Sequence, residues 1–188
     1  MFEDYTERLF AHYVGGRWRA PFGAANVPVP VAGGTAAGYV VSAGSRDVAR
    51  AITFCCGADG VALDRLQNTF SRATSDLVQA RVKQLGLSPH AASHALVSDM
   101  ATAASAPQGS ILLSTPDTGL PVLLKTLGSR MQAGVIWCPP PQQAILATLI
   151  AQLVQASDVP AGAFALLHTR VAETEAALRA TGLPLTLI

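Results

Sequence analysis

The residues able to do nucleophilic or metal chemistry in this 188-residue chain are three cysteines and four histidines. Cys55 and Cys56 are adjacent, with no second pair and no C-x-x-C spacing, so they build neither a zinc site nor a redox motif. Their place near the end of a helix reads as packing. Cys138 closes the apolar run Val135-Ile-Trp-Cys138, a predicted strand whose carboxyl end lies at the edge where open α/β sheets bind ligands. A thiol there becomes a nucleophile only when a cation lowers its pKa. None is near in sequence, and beside Trp137 and Pro139 the thiol reads as buried and inert. His90 and His94 stand four apart on a predicted helix, yet no H-E-x-x-H glutamate or third ligand accompanies them, which favours a solvated helical face over a metal site. His12 and His168 are isolated. Gly15-Gly16 lacks the following helix that a phosphate cradle requires and reads as a hairpin turn. The segment from Thr115 to Pro121 is a strand-to-helix turn where a nucleotide could rest, though it carries one glycine, Gly119. These residues by themselves predict no catalytic group and no metal site.

The elements that must position them alternate in the second half of the chain. Predicted strands are Ile111 to Thr115, Val135 to Cys138, Ala163 to Leu167 and Leu185 to Ile188. Predicted helices at about Leu120 to Gln132, Gln142 to Gln155 and Ala172 to Ala180 join them. In the middle helix Ile145, Leu146, Leu149, Ile150, Leu153 and Val154 form the stripe that packs on a sheet. Repeated strand, helix, strand predicts right-handed crossovers and a parallel sheet. Earlier in the chain the pattern predicts a short helix from Glu3 to Phe10, a hairpin over Tyr13 to Trp18, and an extended segment over residues 20–38 rich in proline and glycine. A short strand follows at Tyr39 to Val41. Ser45 is placed as the cap of the next helix, with Asp47 in its first turn. One helix from about Val61 to Leu85 ends at Gly86, and Ser88-Pro89 opens another that runs to about Ala104. The Ala- and Ser-rich stretch from Ala101 to Gly109 marks the boundary between a hairpin and helical annex (1–106) and a half Rossmann-like sheet (107–188). The fold class is therefore α/β: a partial Rossmann-like parallel sheet of about four strands, helices on both faces, and an N-terminal helical annex plus hairpin.

Composition narrows the function classes. Half the residues are hydrophobic and 13% are charged, about half the usual charged share, so part of the exterior is expected to be covered by a partner. A net charge of +1 without a basic cluster in sequence argues against nucleic acid and anionic membrane. The opening Met1-Phe-Glu-Asp-Tyr lacks the layout of a signal peptide. The longest apolar stretch, Ala144 to Ala156, is shorter than the ~20 residues of a membrane span. The expected compartment is the cytoplasm.

Five segments resemble the amino-terminal part of the aldehyde dehydrogenase superfamily. Tyr13-Val-Gly-Gly-Arg-Trp-Arg-Ala-Pro21 is similar to the family's Y-I-N-G-x-W-x-x-P. Val41 to Ile52 resembles A-x-x-x-D-V-x-x-A-V. Ser114-Thr-Pro116 with Pro121 resembles T-P-W-N-x-P. Leu127 to Gln142 resembles L-A-P-A-L-A-A-G-N-x-V-V-x-K-P-S-E, and Leu153 to Phe164 follows L-x-x-x-A-G-x-P-x-G-V-x-N. The resemblance implies a Rossmann-like domain for NAD or NADP, with a cysteine nucleophile and a glutamate base in chain beyond this sequence. It places the cofactor-binding positions at Thr115, Pro116, Trp137 and Cys138.

The departures from the family pattern make those positions vestigial. Cys138 stands where the family has a lysine that hydrogen-bonds the adenosine ribose, and Pro141 where it has a glutamate. A thiol does not replace a long cationic donor, and proline brings no carboxylate. Within Asp117-Thr118-Gly119 there is no asparagine for the oxyanion, a loss worth ~10² to 10³ in rate. The sequence stops at Leu185-Thr-Leu-Ile188, before the family's F-T-G-S turn, and the stretch from Asp76 to Gly109 lacks the length of the hairpin that family subunits exchange. The expectation is a truncated, catalytically inactive relative acting as a binding, regulatory or assembly subunit. No cofactor is expected, NAD or NADP binding at most weakly. The partner would be a full-length aldehyde dehydrogenase, another protein subunit or a second copy, with no nucleic acid or membrane. The alternative is one part of a split NAD(P)-dependent aldehyde oxidoreductase whose nucleophile a partner chain supplies.

Overall fold

The computed structural model describes residues 8–34, 36–88 and 109–188. The described residues begin with strands β1 (Leu9–Phe10), β2 (His12–Val14), β3 (Arg17–Arg19), β4 (Asn26–Pro28) and β5 (Tyr39–Val41). Helices α1 (Ser45–Phe54), α2 (Gly60–Arg72) and α3 (Thr74–Leu85) follow. The second half reads β6 (Ser110–Leu113), α4 (Leu120–Met131), β7 (Val135–Cys138), α5 (Ala144–Ala156), β8 (Phe164–Leu166), α6 (Val171–Arg179) and β9 (Leu185–Leu187).

The main sheet has the order β3-β2-β8-β7-β6-β9. Its four strands β8, β7, β6 and β9 are parallel, with Ile111 opposite Ile136 and Leu185, and Val135 opposite Phe164. The crossovers through α4 and α5 step one way along the sheet, and α6 returns the chain to the far side of β6. This is the doubly wound order in which direction reverses at the first strand. The β2-β3 hairpin extends the same sheet: Tyr13 pairs antiparallel with Leu166, so the hairpin is continuous with the parallel half. Gly15 and Gly16, at φ 60° and 72°, supply its turn as the sequence predicts.

Alternation along the buried strands divides the core into two layers. Leu112, Val135, Trp137, Phe164 and Leu166 face α2, α4 and α5, where Leu66, Phe70, Leu123, Leu127, Met131 and Ile150 pack. Ile111, Leu113, Ile136, Cys138, Ala165 and Leu167 face α1 and α6, represented by Val48, Ala51 and Leu178. Helices thus cover both faces.

Several local expectations change. Residues 9 and 10 are strand, not helix, because β1 pairs with β5 and Phe10 enters a small core with Val29, Val40 and Ala144. The segment over residues 20–38 contains β4, paired antiparallel to β5. Gly44, not Ser45, caps α1, and the Asp47 carboxylate accepts the Gly44 N–H at 3.1 Å. The single helix over residues 61–85 is two, broken at Ala73 with φ −91°, ψ 10°. Asp59 caps α2 by accepting the Ala62 N–H at 2.8 Å, and Gly86 ends α3 in the left-handed conformation as expected. Residues Pro141–Gln143 form a 3₁₀ turn ahead of α5. Beyond Ser88 itself, the helix predicted from Ser88 to Ala104, with His90, His94 and nearly all of the Ala/Ser-rich boundary, lies outside the described residues.

Candidate functional site at the switch point of the parallel sheet

The crevice of a doubly wound sheet opens where strand order reverses, here between the carboxyl ends of β6 and β9. After β6 the chain turns through Ser114-Thr-Pro-Asp-Thr-Gly119 into α4. The Thr115 N–H is shared between the Ile188 main-chain oxygen and Thr118 Oγ1, both at 3.0 Å. Thr118 Oγ1 donates to that Ile188 oxygen at 2.7 Å, lies 3.1 Å from Thr115 Oγ1, and the Thr118 N–H returns to Thr115 O. The threonine side chain therefore spans the gap between the two strand ends.

A second chain of bonds closes the turn from the β7 side. Trp137 Nε1 donates to Ser114 Oγ at 2.9 Å, Ser114 Oγ to Gln143 Oε1, and Gln143 Nε2 to Thr115 O at 2.6 Å. Ser114, Trp137 and Gln143 are buried, so each bond satisfies a group that would otherwise be stranded away from water. Two residues of α3 hold the assembly from outside. Arg81 Nη1 donates to Thr118 O at 2.6 Å. Gln84 accepts the Ile145 and Leu146 N–H groups at the start of α5 and donates to Pro141 O. Burial lowers the Arg81 pKa, and Asp117 opposes that shift.

Of the sequence-selected positions, Thr115 and Pro116 sit at this crevice, half-buried. Trp137 and Cys138 are next to each other in β7 but project to opposite faces: the indole joins the α4/α5 layer and the thiol the α1/α6 layer. Cys138 is fully buried, and burial pushes its pKa up to about 12, so it is a thiol and not a thiolate at neutral pH. Cys55 is half-buried with its pKa raised by burial and then by Cys56, which is exposed. Ser114 and Thr118 lay inside a segment the sequence singled out. Arg81, Gln84 and Gln143 carried no motif, and polar residues of predicted helices gave no sign of facing inward.

A second polar cluster unites residues that read as isolated. His12 and His168 are both completely buried, their ring centroids 5.9 Å apart, and His12 Nδ1 accepts the His168 N–H at 3.2 Å. His12 Nε2 lies 3.9 Å from Asp47 Oδ2. Burial, reinforced by Arg50, lowers the His12 pKa to about 4, and burial with the neighbouring His12 lowers that of His168 to about 3. Both are neutral at pH 7. Among the described residues no group of three or more His, Cys, Asp or Glu is placed to hold a metal ion. No helix among them is long and apolar enough to cross a membrane.

No protein-family model and no curated protein sequence matches this chain. Solved structures do. The AldC aldehyde dehydrogenase of Pseudomonas syringae, a mutant complexed with NAD+ and octanal, superposes with a TM-score of 0.71 at 18% identity, over 98% of this chain and 52% of that one. An aldehyde dehydrogenase from Bartonella henselae gives 0.75 at 12% identity, over 98% and 52%. An NAD-dependent benzaldehyde dehydrogenase from Corynebacterium glutamicum gives 0.74 at 12%, over 95% and 49%. The chain has the fold of part of an aldehyde dehydrogenase, and it spans about half the length of the solved structures it matches.

Proposed function

We propose that this chain is an aldehyde dehydrogenase-like module that has lost dinucleotide chemistry and acts as a binding, regulatory or assembly subunit. The observation that carries the reading is the switch-point crevice, where Thr118 bridges Thr115 to Ile188. Ser114, Thr115, Thr118, Gln143 and the Ile188 main-chain oxygen are engaged with one another there. A dinucleotide needs them turned outward, together with groups for its ribose hydroxyls. The residues present do not fit that task. Cys138 is sealed in an apolar layer and remains protonated, and Pro141 offers a main-chain oxygen already bonded to Gln84. Thr115, Pro116, Trp137 and Cys138 are read as the vestige of a cofactor site. The partner is a full-length aldehyde dehydrogenase, another protein subunit or a second copy of this chain, and the compartment is the cytoplasm.

Calorimetric titration of the chain with NAD and with NADP tests the reading. No measurable heat at millimolar dinucleotide is expected, and a Kd in the micromolar range for either would refute it. A second reading, part of a split NAD(P)-dependent aldehyde oxidoreductase, draws support from the doubly wound strand order. It requires dinucleotide affinity to appear when a co-purified partner is present.

A further inference from the structure

At the opposite edge of the sheet from the crevice, four guanidinium groups and two phenyl rings share one surface. Arg17 and Arg19 lie on the same face of β3, since side chains alternate along a strand, while Trp18 packs edge-on against Tyr13 and donates to Gln155. Arg46, Arg50 and Phe54 recur every fourth residue and share one face of α1. Phe22, from the segment after β3, has the Arg46 and Arg50 guanidinium carbons 4.3 and 4.5 Å from its ring centroid. The Arg19 guanidinium lies 5.7 Å from the Phe54 ring.

The arrangement is anchored. The Phe22 N–H donates to both Asp47 oxygens at 3.1 Å, and Arg50 donates to Asp47 at 2.9 Å and to Ala20 O at 3.3 Å. Among the described residues Asp47 is the carboxylate that meets these arginines, and it is fully buried and bonded to Arg50, Phe22 and Gly44. Among the described residues no carboxylate pairs with Arg17, Arg19 or Arg46; Arg17 and Arg46 are exposed, Arg19 is half-buried with its Nε donating to Val14 O at 3.4 Å, and Phe22 and Phe54 remain 49% and 44% exposed. On a chain of net charge +1, this is a local concentration of positive charge.

A guanidinium held flat on an aromatic ring keeps its N–H edge toward solvent, the fork that takes a carboxylate through two parallel hydrogen bonds. Arginine beside exposed aromatic rings is also the composition of protein interface centres. We infer that this face docks an acidic segment of a partner protein, its carboxylates on Arg46, Arg17 and Arg19 and an apolar side chain against the exposed edges of the Phe22 and Phe54 rings. Charge complementarity selects the occupant. A single-stranded nucleic acid is disfavoured because guanidiniums already lie against the Phe22 ring that a base would stack on. The inference rests on the reading of the chain as a binding subunit and names the chemistry of its partner. The surface is four strand spacings from the crevice, roughly 19 Å, so dinucleotide titration and peptide binding fail or succeed separately.

The test is fluorescence anisotropy of the full chain with a labelled peptide of repeating Glu-Glu-Phe, beside a Lys-Lys-Phe peptide and a dT oligonucleotide. The acidic peptide is expected to bind, to weaken as salt rises, and to lose roughly tenfold in affinity with Arg46→Glu. Arg17→Glu, outside the Phe22 stack, should weaken it likewise, and Val122→Glu on α4 should leave it unchanged. Thermal melts of each variant report folding. No binding of the acidic peptide, binding by both arginine variants undiminished from that of the unsubstituted chain, or tighter binding of the oligonucleotide would overturn the inference.

Discussion

Acid should unfold this protein earlier than its carboxylates alone would dictate, and the buried His12–His168 pair sets the size of the effect. Both rings are fully buried, with folded-state pKa values of about 4 and about 3 against an ordinary 6.5. The unfolded chain therefore binds protons below pH 6.5 that the folded chain refuses. Stability is complete above that pH and falls as pH drops toward the folded values. Each histidine contributes a slope of up to about 1.4 kcal/mol per pH unit, and the pair costs about 5 kcal/mol between pH 6.5 and 4.5. That is comparable to the whole stability of a small domain. The groups facing His12 are Asp47 and Arg50 of α1 and His168. Asp47 attracts an imidazolium while Arg50 repels it. Urea titrations at pH 7.5, 6.5, 5.5 and 4.5 measure the slope, and a His168→Gln variant should halve it. Invariant stability across this range, or NMR titration of both imidazoles near pH 6.5 in the folded protein, would refute the reasoning.

Three further outcomes are expected. Gln143→Ala leaves the buried Ser114 O–H without its acceptor and takes one of two hydrogen bonds from the Thr115 carbonyl, which keeps the Thr118 N–H, and should cost about 1 to 3 kcal/mol in urea unfolding. A change below 0.5 kcal/mol would mean that water replaces the amide without penalty. Gly162→Ala places a methyl carbon 1.8 Å from Phe54 O and 2.7 Å from Cys56 Sγ, so the α1–β8 contact must open. A fall in Tm of several degrees should follow, whereas a wild-type melt would sink that contact. In a thiol-reagent assay on the native protein Cys56 should react promptly and Cys138 only after denaturation, since burial holds Cys138 protonated. Rapid native labelling of Cys138 would contradict its placement.

Periodicity alone made the second half of the chain legible. The stripe on α5 and the apolar runs of β6, β7 and β8 are each wide or long enough that one conformation buries them. Gly15-Gly16 and Gly86 marked their turn and cap because positive φ demands glycine. The errors fall where burial was decided by a distant partner. Phe10 is strand because β5 lies beside it, and the helix over residues 61–85 breaks at Ala73 with no proline or glycine to announce it. Gly44 displaces Ser45 as cap because the Asp47 carboxylate is drawn to the Gly44 and Phe22 N–H groups together.

The amino-acid sequence by itself determined an α/β chain with a parallel half, the burial of the Cys138 thiol, and the strand-to-helix turn from Thr115 to Pro121. Those follow from residue type and spacing, which act over one or two turns. Tertiary structure alone decided that Thr118 bonds the turn after β6 to Ile188, that Arg81 and Gln143 bond that turn, and that Gln84 bonds the start of α5. It alone set His12 against His168, 156 residues away, and gathered Arg17, Arg19, Arg46 and Arg50 on one face. Such placements depend on which strand lies beside which, and hydrogen bonds and charge act across that spatial adjacency with no trace in local pattern.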